Sequence, residues 1–351
     1  MNPDEKISVS HLSVAFRRGS HYVPVVHDIN FGIRAGETLA LVGESGSGKS
    51  VTSLAMMKLL AAAPKTRIDG SAVVADSAGN AIDLVAMSEQ QMRHVRGNRV
   101  AMIFQEPLTS LNPVHRVGDQ IAEAIRFHEH LSKSQARARA LALLEQVGIP
   151  EPAQRLESFP HELSGGMRQR VMIAIALAME PDVLIADEPT TALDVTVQAQ
   201  ILDLLRTLQK KNGMAILFIT HNFGVVAEIA DRVMVMYAGR IVEQGSVAQV
   251  LSAPRMPYTR GLLAAVPRFE QAGLGQGELG TIPGFVPDPS APPAGCAFHP
   301  RCAFSIAGRC DSHAPALEEV EQGHQLRCVR WRELPANLGL APVALEMGGA
   351  S

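Results

Sequence analysis

Three groups of residues have types and spacings that could do chemistry. The run Gly43-Glu44-Ser45-Gly46-Ser47-Gly48-Lys49-Ser50 fits G-x-x-x-x-G-K-[ST]. Glycines at these intervals let backbone N–H groups turn inward around phosphate oxygens, and a helix starting near Lys49 offers its positive end to the same anion. Lys49 can reach the β- and γ-phosphates of a nucleotide, and the Ser50 hydroxyl can ligate Mg²⁺. In the second group, apolar residues 183–186 run into Asp187 and Glu188. A buried strand with an acid at its C-terminal tip is where an α/β sheet places ligand groups. Asp187 suits the Mg²⁺ shell, directly or through water, and Glu188 suits orienting or activating the attacking water. Neighbouring strand residues face opposite sides, so the two carboxylates can divide these jobs only where the strand ends, as Pro189 implies. His221, after apolar residues 215–219 and Thr220, could bond a γ-phosphate and hold the water-positioning carboxylate; by itself it reads equally as a helix cap. Gln105 closes the apolar run 99–104 and could touch Mg²⁺ or the attacking water, though alone it is only an exposed Gln.

The third group is Cys296, Cys302, Cys310 and Cys328, spaced C-x5-C-x7-C-x17-C with no cysteine before them. Four thiolates suit an iron–sulfur cluster or a tetrahedral zinc, although the C-x2-C pairs of zinc ribbons are missing. Free thiols or disulfides are the alternative. A metal would help order a Pro-rich segment with little apolar material for a core. His299, His313 and His324 lie nearby and read as solvent-facing loop residues.

The elements that must position these groups read as follows. Residues 7–16 and 28–33 alternate loosely as strands, and 38–42 is an apolar strand feeding into Gly43. A helix should run from near Lys49 to about Ala61. Strands are expected at 99–104, 183–186, 215–219 and 233–236, with a helix carrying Val197, Ile201, Leu204 and Leu208 on one face. Ala136, Ala140, Leu143, Leu144 and Val147 keep a helical period, and 164–179 is a second helix. Strands alternating with helices predict an α/β fold around a mostly parallel sheet covered on both faces, with 106–179 inserted as a helical region. Beyond residue 254 the chain is rich in Pro and Gly; 271–280 reads as a linker, followed by a small loop-rich appendage. No internal repeat is visible.

Composition narrows the function. The 351 residues carry a net charge of −3 and only 4% aromatic residues, so neither the basic face nor the stacking platform of a nucleic-acid binder is expected. The longest apolar run, 171–179, is far short of the roughly 20 residues that span a bilayer. The N-terminal ten residues lack the apolar core of a secretory signal. The chain is therefore expected to stay in the cytoplasm, any membrane role coming through partners.

One more motif joins these groups. Leu163-Ser164-Gly165-Gly166-Met167, followed by Arg168-Gln169-Arg170 and an apolar helix, places two glycines and a hydroxyl at a helix start, where open N–H groups can meet an anion. The order phosphate loop, Gln105, Ser164-Gly165-Gly166, Asp187-Glu188, Ala192-Leu193-Asp194 and His221 resembles the full series of the ATP-binding-cassette (ABC) ATPases over about residues 6–270: Walker A, Q-loop, signature, Walker B, D-loop and switch histidine. The resemblance implies a P-loop NTPase core, a helical subdomain at about 106–179, and two such domains facing head to tail. ATP would lie between the Walker motifs of one and the signature of the other. Carried over, Lys49 and Ser50 grip phosphate and Mg²⁺, Glu188 is the catalytic base and His221 the γ-phosphate switch. Phe16 lies where the family stacks an aromatic on adenine, a core-strand Phe being the competing reading. Asn222 replaces the usual Asp after the switch histidine, and Met167 stands where Gln is common.

Ser110-Leu111-Asn112-Pro113 with the preceding Thr109, Pro257-Tyr258-Thr259, and the segment Pro283-Gly284…Gly295-Cys296…Pro300-Arg301-Cys302 resemble the oligopeptide and dipeptide importer branch, although Met256 would usually be His there. That resemblance implies an ATPase domain over 1–255, a C-terminal extension with the four cysteines over 256–335 and a tail over 336–351. It implies ATP hydrolysis coupled to peptide uptake at the cytoplasmic face of a bacterial inner membrane. The implied partners are two permeases, a second and homologous ATPase chain, and an external peptide-binding protein, with no nucleic acid. Nickel, glutathione and sugar-peptide importers share the branch. The branch includes members with a [4Fe–4S] cluster at the matching cysteines, expected here to serve stability or subunit contact and not ATP chemistry. The segment after Gln105 sits where the family docks a permease helix. A soluble ATPase acting on ribosomes or DNA, and a regulatory protein that binds ATP without hydrolysis, are the rival readings.

Overall fold

The computed structural model describes residues 4–76, 79–105, 110–191, 193–266 and 281–335. Twelve strands are found there: β1 (Glu5–Arg18), β2 (His21–Arg34), β3 (Thr38–Val42), β4 (Thr66–Ala75), β5 (Ala81–Asp83), β6 (Val100–Ile103), β7 (Val183–Asp187), β8 (Ala215–Thr220), β9 (Arg232–Tyr237), β10 (Arg240–Ser246), β11 (Glu318–Glu321) and β12 (His324–Leu326). The helices are α1 (Lys49–Met56), α2 (Glu89–Val95), α3 (Val117–His128), α4 (Lys133–Gln146), α5 (Pro152–Arg155), α6 (Gly165–Ala176), α7 (Val195–Asn212), α8 (Phe223–Ile229), α9 (Val247–Ser252) and α10 (Pro257–Ala264).

The main sheet runs β11-β12-β10-β9-β3-β8-β7-β6. Its strands β6, β7, β8, β3 and β9 are mutually parallel, and their continuous apolar sequences match burial on both faces. One face packs Leu184, Ile216 and Phe218 against Ile201, Leu202 and Leu205 of α7 and the helical region. The other packs Leu39, Leu41, Ile185 and Leu217 against Met56 and the strands β1 and β2.

Strands β1 and β2 do not join this sheet. They form a separate antiparallel sheet, β2-β1-β4-β5, with β4, a strand that residue periodicity did not reveal. The physical reason lies in their alternation: a strand with one wet face belongs to an antiparallel sheet. Helix α1 also stops at Met56, short of the expected Ala61, because Lys58 turns into the left-handed region at φ 49°.

The C-terminal segment packs into the body of the protein. Strand β12 pairs antiparallel with β10, and Phe298 meets Tyr237 edge-on and Tyr258 at a tilt, at ring separations of 5.3 and 5.2 Å. His324 is not solvent-facing: it is 1% exposed, and its Nε2 lies 2.9 Å from Oε1 of the fully buried Glu243. That carboxylate also accepts the N–H groups of Arg255 and Met256, so β10, β12 and the approach to α10 share one polar anchor. The expected linker at 271–280, the tail at 336–351, Thr109 and Ala192 lie outside the described residues.

Candidate nucleotide site

Parallel strands end on a common edge, and the loops after β3, β6, β7 and β8 therefore meet. They carry the phosphate loop, Gln105, Glu188 and His221. The phosphate loop closes tightly on its surroundings: a Cβ at Gly43 would sit 2.2 Å from the Met236 carbonyl, and Gly48 takes φ 107° at the start of α1. Only glycine fits both positions. Lys49, 6% exposed, donates to the carbonyls of Gly43 at 2.8 Å and Glu44 at 3.1 Å. Burial lowers its affinity for a proton, partly offset by the charges of Glu188 and Asp187. A buried ammonium held by main-chain oxygens at a helix N-terminus is a fitting receptor for phosphate.

Ser50 donates to Oδ1 of Asp187 at 3.2 Å, so strand tip and helix start bring together two oxygen donors of the kind Mg²⁺ takes. Burial pushes the Asp187 carboxyl above its ordinary range. Glu188 follows at φ 48°, a left-handed backbone that ends the strand and turns its side chain into the site. Its Oε2 accepts from Thr191 Oγ1 at 2.8 Å and Gln105 Nε2 at 3.2 Å, and its Oε1 lies 3.1 Å from His221 Nδ1. Burial would raise the Glu188 carboxyl, but the bonds from Thr191 and His221, with the nearby His221 and Lys49 charges, outweigh it and hold the group below its usual range. Asn222 caps α8 by accepting the N–H groups of Gly224 and Val225.

A cavity of about 460 Å³ joins these parts. Ser45, Gly46, Gly48, Lys49, Ser50, Gln105 and Glu188 line one side, and the half-buried Phe16 lines it beyond them. Pro287, Pro289 and Pro292 from the C-terminal segment form a further wall. Gly43 and Glu44 border a second, more open cleft with Glu188 and His221. Ser47 lies buried inside the phosphate loop. Ser164, Gly165 and Gly166 line neither space. They start α6, where Ser164 caps the helix by accepting the Met167 N–H at 3.3 Å. A third, mostly apolar hollow of about 350 Å³ is lined by Phe104, the residue before Gln105, with Leu59, Leu111 and Met172 among others.

Thr191, Tyr258 and Arg301 also belong to the site, although the residue pattern assigns them no role. Tyr258 Oη accepts the Glu44 N–H at 3.0 Å, and Arg301 pairs with the Glu44 carboxylate. The short spacing Glu188-x-x-Thr191 was the one legible signal among them.

The four cysteines form no disulfide with one another and line one small cavity with Phe298, Phe304 and Met256. Burial raises the thiols of Cys296, Cys302 and Cys328. Among the described residues no three His, Cys, Asp or Glu side chains come together closely enough to hold a metal ion. A tetrahedral zinc, with sulfurs about 2.3 Å from one centre, does not fit the thiols as they stand.

The ABC transporter family profile matches residues 26–191, and the oligopeptide/dipeptide transporter C-terminal region matches residues 242–310. The chain is similar to the oligopeptide transport ATP-binding protein OppD of Bacillus subtilis (strain 168), with 53% identity over 321 residues that cover 92% of this chain and 87% of that protein. It is similar to the dipeptide transport ATP-binding protein DppD of Escherichia coli (strain K12), with 48% identity over 322 residues covering 92% and 95%. Among solved structures, the dimeric bacterial ABC transporter cassette MJ0796 matches with a TM-score of 0.60 and 26% identity, over 69% of this chain and 98% of that one.

Proposed function

The chain belongs to the ABC transporter family, and from that membership we propose that it hydrolyses ATP to drive uptake of di- and oligopeptides through membrane-spanning permeases. The observation that carries the reading is the grip of Gln105, Thr191 and His221 on both oxygens of Glu188, beside a buried Lys49 in a phosphate loop. Lys49 binds the phosphates. Ser50 and Asp187 would hold Mg²⁺, with Gln105 in reach of it or of the water. When bound, that ion would supply positive charge to offset the charge of the phosphates. Glu188, kept ionised, accepts the proton of the attacking water, while its three partners fix its direction. Phe16 offers a face to adenine. Ser164, Gly165 and Gly166 serve the nucleotide of an opposing ATPase chain, since they stand clear of the cavity of their own chain.

Residues 1–255 are assigned to the ATPase domain, with the helical subdomain at about 106–179, 256–335 to the extension and 336–351 to the tail. The hollow lined by Phe104 supports a permease helix docked there, so that nucleotide state reaches the pore. Among the described residues no helix is long and apolar enough to cross a membrane. The proposal gives the pore to two permeases, with a second ATPase chain, an external peptide-binding protein and attachment to the cytoplasmic face of the inner membrane.

Cells lacking this chain should lose uptake of a labelled dipeptide, and re-expression should restore it. Retained dipeptide uptake with loss of glutathione or nickel uptake would replace the substrate reading. The four cysteines line one cavity but leave no centre for a single ion, so the group proposed there, on the strength of the family resemblance, is a [4Fe–4S] cluster held by Cys296, Cys302, Cys310 and Cys328. Protein purified without oxygen should then contain about four iron atoms per chain and lose them on Cys302→Ser. Iron-free, folded protein would overturn the cluster.

A further inference from the structure

Arg301 ends the one-turn 3-10 helix His299–Arg301, between Cys296 and Cys302, and reaches a residue 257 positions earlier. Its side chain is only 6% exposed, and its two terminal nitrogens meet the two oxygens of Glu44 at 2.8 and 2.9 Å. Its Nε donates to the Pro283 carbonyl at 2.8 Å, which fixes the plane of the fork. Glu44 is the second residue of the phosphate loop, and its own N–H goes to Tyr258. The loop is thus fastened by two groups that the ATPase core does not supply.

The charge at Glu44 explains why this matters. Its carboxylate lies near enough to act on the Lys49 ammonium, and an unpaired anion there would oppose a triphosphate. A bidentate guanidinium both neutralises it and sets its direction.

We propose that Arg301 is a positioning residue of the nucleotide site: it neutralises Glu44 and fixes the phosphate loop, so that the cysteine-bearing turn must be folded for ATP to bind at full affinity. The inference rests on residues 43–50 being the ATP site, and Lys49→Ala separates the two claims. If Lys49→Ala leaves ATP binding intact, the site itself is misassigned; if it abolishes binding, the Arg301 variants test the coupling alone.

The test is equilibrium MgATP binding to the full chain, with the fold checked by circular dichroism. Arg301→Ala should weaken binding by about 30-fold, the scale of a lost charge-assisted pair. In a Glu44→Gln background the same substitution should cost less than about threefold, because no anion is left to neutralise. An equal loss in both backgrounds would overturn the proposal. Arg301→Lys keeps the charge and should bind within about fivefold of the parent; binding as weak as that of Arg301→Ala would also overturn it. Should Arg301→Ala not fold, the unaltered chain still decides. Coupling is reciprocal, so MgATP should slow hydrogen exchange of the amides of residues 296–299, Arg301 and Cys302. Unchanged exchange there would sink the idea.

Discussion

Replacing Glu188 with Gln should lower ATP turnover by the assembled transporter about 10²- to 10⁴-fold while leaving ATP bound, the range expected when a positioned general base is lost. The geometry makes this substitution sharp. Glu188 accepts at both oxygens, from Thr191 and Gln105 on one and beside His221 on the other. An amide keeps the shape but cannot take the proton of water, and turned toward Thr191 and Gln105 its NH₂ group would meet donors. Nothing in the phosphate cradle changes, because Lys49 is held by the carbonyls of Gly43 and Glu44. Steady-state phosphate release and equilibrium ATP binding check the two halves of the expectation. Turnover at the parent rate would mean that the base lies elsewhere.

The second large effect is expected at a position that lines neither nucleotide cavity of its own chain. Gly165→Asp should cut turnover of the assembly by about 10²- to 10³-fold, the scale of a lost or reversed charge contact at the reacting phosphate. An added Cβ there meets no heavy atom within 4 Å, whereas one at Gly166 would press on Val197 Cγ1 at 2.8 Å. The chain should therefore fold unchanged, and an acid in the first turn of α6 even favours the helix. Thermal unfolding and ATP binding by the separated chain should match the parent. The damage arises only when an opposing nucleotide meets that helix start. Full turnover by the variant would exclude a site shared between two chains.

How much of this was legible from residues varies with the range of the interaction. The phosphate loop, the acid pair and His221 follow apolar strands directly, so strand, turn and chemistry sit within ten residues of one another. Parallel β3, β7 and β8 declare themselves by unbroken apolar runs. Strand β4 does not: its buried positions, Thr66, Ala72 and Val74, share one face, but Thr66 is polar and Gly70 interrupts that face, so no apolar alternation is visible. His324 shows the limit for single polar residues: nothing near it in sequence announces Glu243, 81 positions away and fully buried. Arg301 fails for the same reason. Its sequence neighbours Pro300 and Cys302 give no hint of a partner, and its role is set by Glu44, 257 positions earlier in the chain.

The pairing of β12 with β10 has a consequence for solubility. Residues Arg240–Ser246 would otherwise border the main sheet with open backbone donors and acceptors, a template for a strand from another molecule. The hairpin occupies that template and moves the border outward to Glu318–Glu321, whose sequence Glu-Glu-Val-Glu is short and carries three negative charges. A chain cut before the hairpin would trade this guarded margin for an adhesive one, and should self-associate even with its phosphate loop intact.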